Sequence, residues 1–138
     1  MEQRDYLKKQ IDELAQVLGK LLSELLQLKK EGKTKESLEL TNQTLKTSLT
    51  QDLDELLAIP DESFISQLKA KKIKNEAMEK LADVLLVIAD TEGPSERGKQ
   101  VYKKCFLLFE KLESVDAIYS MDRHRKLERI KKLIGLIL

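Results

Sequence analysis

Few side chains in this 138-residue chain carry chemistry of their own, and their spacing limits it further. There is one cysteine, Cys105, and one histidine, His124. A thiol attacks only as the thiolate, which needs a base or a cation held beside it. Cys105 lies between Lys104 and Phe106 on the apolar stripe of an amphipathic segment, where a free cysteine serves as a small buried hydrophobe. A carboxylate-bridged metal pair in a helical bundle needs Glu-x-x-His twice, plus two further glutamates. The residue three before His124 is Met121, so the ligand set is incomplete. No Gly-x-Ser-x-Gly elbow, Gly-x-Gly-x-x-Gly turn or phosphate loop is present. These residues point to a chain that is not an enzyme and takes no metal or cofactor.

Two sets of polar residues are candidates for binding. Arg123, Arg125, Lys126, Arg129 and Lys132, with His124 and Lys131 among them, form the most basic stretch, with Leu127, Ile130 and Ile134 behind it. Such a helix can contact phosphates or lie on an anionic surface, although no stacking aromatics accompany it. The same cations also complement a helix dipole and balance acids elsewhere. Thr41, Asn42 and Thr44 make an uncharged stripe that can line a peptide groove or simply face water. Asn42 falls where the apolar period expects a core residue, and a buried Asn can fix register.

The elements that carry these residues are helical. Apolar residues are 41% and charged residues 36%, whereas Gly is 5, Pro 2 and Trp 0, a composition of long helices that excludes a sandwich or a doubly wound sheet. Leu7, Ile11, Leu14, Leu18, Leu21, Leu25 and Leu28 alternate steps of four and three, which defines a first helix ended at Gly32. A second helix, capped by Thr34, is expected to run to Ile59-Pro60, and a short third, capped by Asp61, runs into a turn within Lys69 to Lys74. Asn75 caps a fourth, nearly all-apolar helix, the candidate for the buried centre. Gly93-Pro94-Ser95 ends it and starts a fifth. A sixth follows Ser114, with Gly135 separating it from the last apolar residues.

Lys and Arg number 25 against 24 Asp and Glu, a formal charge of +1, so any attraction to nucleic acid or membrane must be local. The charged start and apolar runs of only about six residues fit neither a secretory signal nor a membrane span, and the expectation is a cytoplasmic protein.

Leu14-Ala15-Gln16-Val17-Leu18 reappears as Leu81-Ala82-Asp83-Val84-Leu85, each followed by a turn and a second amphipathic helix. With the turn Glu31-Gly32-Lys33-Thr34, this pairing resembles the helical hairpins of tetratricopeptide-type proteins, although that family's 34-residue pattern does not align here. The opening Asp5-Tyr6-Leu7-Lys8-Lys9-Gln10-Ile11 resembles the start of small uncharacterised bacterial helical proteins, which implies a bacterial origin and no activity.

The architecture expected is one all-α domain over 1–138, with five to six helices stacked as antiparallel hairpins or as an irregular bundle. Its core is Leu14, Leu18, Leu21, Leu25, Leu81, Leu85, Ile88, Val101, Cys105, Phe106, Leu108 and Phe109. The functional expectation is a non-catalytic interaction or scaffold module whose apolar face meets a protein partner or a second copy in a homodimer. The alternative is a nucleic-acid-associated protein using the surface from Arg123 to Lys132.

Overall fold

The leucine ladder of the first thirty residues forms a single rod, α1 (Glu2–Lys30), followed by α2 (Thr34–Leu49), α3 (Leu53–Ala58), α4 (Asp61–Ala70), α5 (Asn75–Glu92), α6 (Glu96–Val115) and α7 (Met121–Ile137). These elements come from a computed structural model that describes residues 2–116 and 119–137, with side chains over 13–116 and 119–135. The described residues contain helices and no strand.

Helix ends follow local chemistry. Gly32, at a φ of +72°, closes α1 in a Schellman turn, in which the Lys33 N–H donates to the Leu28 carbonyl and the Gly32 N–H to that of Lys29. The same turn ends α4 with Lys72 in the glycine position, at a φ of +62°. Gly93 stops α5 and the Ser95 hydroxyl caps α6 by accepting from the Gly98 N–H, as the sequence led us to expect.

Several boundaries differ from expectation. The helix expected from Thr34 to Ile59 is broken at 50–52, because Thr50 is left-handed and Asp52 starts a new helix through a capping box with Glu55. Thr34, Asp61 and Asn75 are first helical residues rather than caps, so each helix starts one position earlier than expected. The last helix begins at Met121 instead of after Ser114, so Val115 belongs to α6 and Tyr119 to the connection, while Ile118 lies outside the described residues. Gly135 does not interrupt α7, which continues to Ile137.

α5 is the central rod. Ten of its residues are buried, among them Leu81, Ala82, Val84, Leu85 and Ile88, because α1 covers one side and α6 the other. Each such leucine or isoleucine removed from water contributes about 1.5–3 kcal/mol. α1 and α5 run the same way, with Gly19 facing Lys80 and Lys29 acting on Asp90. α6 returns antiparallel, so Cys105 meets Ala82 and Tyr102 meets Asp90. α2 packs on α1, α4 and α7 pack on α6, and α3 bridges α2 and α6.

The expected core residues are all buried except Phe106, which is half-buried at the surface of α6. Leu45, Leu49, Leu53, Leu56, Phe64 and Leu68 join that core, giving α2 to α4 a larger share than the sequence suggested.

Candidate functional site

α7 lies on α6 with its cations turned toward α5. Glu79, Asp83 and Asp90 stand on one face of α5; Arg123, Lys126 and Arg129, spaced by three, stand on the matching face of α7. Arg123 Nε and Nη2 donate to the two Glu79 carboxylate oxygens at 2.9 and 3.3 Å, and Nη2 donates to Asp116 at 2.8 Å. Its Nη1 faces Glu113 Oε1 at 3.6 Å, and neither of those buried atoms has a hydrogen-bond partner. Lys126 reaches Asp83 at 2.7 Å and Asp122 at 2.8 Å, over the face of the Phe109 ring. Arg129 binds Asp90 with both terminal nitrogens, at 2.9 and 3.0 Å, and Asp90 also accepts from the Tyr102 hydroxyl at 2.6 Å.

These contacts tune the groups that make them. Burial pushes the Asp90 carboxyl up, but the Arg129 and Tyr102 hydrogen bonds outweigh it and hold the group below the ordinary aspartate range. Burial, then Asp90, pushes the Tyr102 phenol up. The Glu79 carboxylate raises Arg123 further above its usual range. Burial, seconded by Asp90 and Asp83, raises the Cys105 thiol well above its usual value, the opposite of what a nucleophile requires.

The five residues of the expected basic surface therefore do not face one way. Arg123 is 5% exposed, and Lys126 and Arg129 are committed to α5. Arg125 and Lys132 remain exposed, the former donating to the Met121 sulfur. His124 is exposed, with its ring near that of Tyr119. Balancing acids forty residues upstream become visible only once α5 and α7 are placed side by side.

The expected polar groove also separates into individual roles. Thr41 is fully buried and its hydroxyl donates to the Ser37 carbonyl at 2.8 Å, so it lines no groove. Asn42 is half-buried, and its Oδ1 accepts the Leu53 N–H at 3.0 Å, tying the start of α3 to α2. The contact lies at a helix start and not in the core. Thr44 is half-buried.

One surface was only partly visible in the sequence. Between α6 and α7 runs an open groove of about 390 Å³, with Phe106, Leu107, Ile134 and Gly135 as its floor and Lys103, Lys131 and Asp61 at its edge. In the sequence, Phe106-Leu107-Leu108-Phe109 makes an apolar surface wider than one neighbouring helix needs, whereas Gly135 carries no sign of a groove. The Asp61 carboxylate is taken by Lys104, a buried lysine that also donates to the Ile59 carbonyl and stacks over Phe64. A second cleft, about 340 Å³, is lined by Glu76, Glu79, Lys80, Asp116 and Arg123, and its polar groups are mostly those of the Arg123 knot.

Among the described residues, no three His, Cys, Asp or Glu side chains are grouped to hold a metal ion, and no helix is long and apolar enough to cross a membrane. No family model, curated protein or solved structure matches this chain.

Proposed function

We propose that this chain is a non-catalytic protein-interaction module that offers the α6–α7 groove to a protein partner. The observation that carries the reading is the groove itself: half-buried Phe106, Leu107 and Ile134 form an apolar floor that the chain's described residues leave open. Titratable side chains support it from the other side, since Asp83, Asp90, Tyr102, Arg123, Lys126 and Arg129 are spent on each other instead of converging on a cavity. In this reading α1–α2 and α5–α6 are stacked hairpins of tetratricopeptide-like type, with α1 and α5 running parallel, and the outer face of the second pair is the binding face.

Photo-crosslinking in the native host tests this directly, with the crosslinking side chain at position 107 of the full chain and, in parallel, at exposed Leu26 on α1. A discrete protein adduct from position 107 is expected. Adducts from position 26 with none from position 107 would overturn the reading, and nucleic-acid adducts near Arg125 and Lys132 would put the alternative in its place.

A further inference from the structure

The groove's chemistry narrows the partner. Gly135 is a helix-weakening residue inside α7, yet its own fold does not require it: a side chain there would meet no described atom within 4 Å, and its backbone is ordinary helix. Gly32 and Gly93, by contrast, sit at positive φ, and Gly98 packs against the Gly93 carbonyl. What the missing side chain does is keep the floor of the groove open, so that another backbone can approach closely over Phe106, Leu107 and Ile134.

The edges of the groove are cationic. Lys103 has no carboxylate partner among the described residues, and Lys131 pairs only with Glu128 on its own helix, at 3.3 Å and in the open. Asp61, the acid on the edge, is already taken by Lys104. Two turns beyond Lys103 on the same stripe of α6, Lys111 stands beside Lys69 of α4, and this neighbouring ammonium pushes Lys69 below the usual lysine range. Glu110 is the exposed counter-charge nearby on α6. Lys103, with Lys131 in its exposed contact to Glu128, gives the groove a positive edge that an anionic partner would complement.

We propose that the α6–α7 groove binds an acidic amphipathic helix of a partner protein, whose apolar ridge lies over Gly135, Phe106 and Leu107 and whose Glu or Asp flanks meet Lys103 and Lys131. This rests on the interaction-module reading and names its partner class. A second copy of the same face is disfavoured, because it would bring two sets of lysines together.

The test is a selection of displayed helical peptides, randomised in both apolar register and charge, on the immobilised full chain. Binding of the enriched peptides is then measured by fluorescence anisotropy to wild type, Gly135→Gln, and Lys103→Glu with Lys131→Glu. Enrichment of helices with apolar residues at i, i+3/i+4 and i+7 and acidic flanks is expected. Affinity should fall about tenfold or more in Gly135→Gln and in the double variant, and fall several-fold between about 50 and 300 mM salt. A helical circular dichroism spectrum and melting temperature like wild type's for Gly135→Gln would show that the loss is not misfolding.

No enrichment, enrichment of neutral or basic helices, or acidic helices that bind Gly135→Gln as well as wild type would each overturn the proposal. So would concentration-dependent dimerisation abolished by Gly135→Gln, which points to a second copy. If crosslinking from position 107 finds a protein whose contact segment is not acidic, the interaction-module reading stands and this inference alone fails.

Discussion

Arg123 of α7 and Glu79 of α5 meet in a two-pronged ion pair at 2.9 and 3.3 Å, and through it the N-terminus of the last helix is fixed to the centre of the bundle. Asp116, just after α6, completes the knot. Breaking one partner of such a pair leaves the others uncompensated, whereas the intact pair offsets its own desolvation. Arg123→Ala should therefore destabilise the fold by about 2–4 kcal/mol, read as a shift in urea midpoint. Arg123→Lys should recover only part of this, because an ammonium cannot span both Glu79 oxygens. An unchanged midpoint in Arg123→Ala would show that α7 is held without the Arg123 knot.

Asp90 gives the α5–α7 seam its pH dependence. Its carboxyl is held below the ordinary aspartate value of 3.8 in the folded chain, so its contribution to stability is fully present above that value and is lost as pH falls through the lower, folded pKa. Below pH ~4, Asp90→Asn should lose less stability on acidification than wild type. Parallel acid limbs for the two proteins would remove Asp90 from the account.

Cys105 reports whether α7 stays in place. The thiol is fully buried at the α5–α6 seam, held against the Ala82 carbonyl, and raised by burial and then by Asp90 and Asp83, the acids that α7 binds. Its reaction with a disulfide reagent should be slow in wild type and accelerate about tenfold for each 1.4 kcal/mol by which Arg123→Ala or Lys126→Ala eases opening. Equal rates in wild type and variants would mean that the opening which exposes Cys105 does not involve the seam.

Lys72 occupies a left-handed position that glycine fills at the end of α1. Lys72→Gly should stabilise the fold by about 0.5 kcal/mol, the relief of backbone crowding exceeding the added chain entropy of glycine in the unfolded state. The thermal midpoint checks this, and a drop would mean that the Lys72 side chain does something its backbone does not disclose.

The rods were legible because their apolar spacing is local: Leu14 to Leu25 and Leu81 to Ile88 state their helix and their buried face within a few turns. The break after Leu49 was legible in principle, since Asp52 and Glu55 have capping-box spacing, but the leucines on either side kept a helical period across it. What a sequence does not state is which faces meet. Arg123, Lys126 and Arg129 read as a basic surface because Glu79, Asp83 and Asp90 lie on another helix, and only the placement of α5 beside α7 turns the two stripes into pairs. Gly135 read as an interruption for a similar reason: its use lies in the space above it, which is a property of α6 and α7 together.

Hydrogen exchange on the full chain, alone and saturated with the strongest acidic helix from the selection, tests the central claim. Slower exchange is expected in peptides covering 103–111 of α6 and 127–137 of α7, with α1 and α2 unchanged. Protection confined to α1 and α2, or no protection under saturating peptide, would contradict the account.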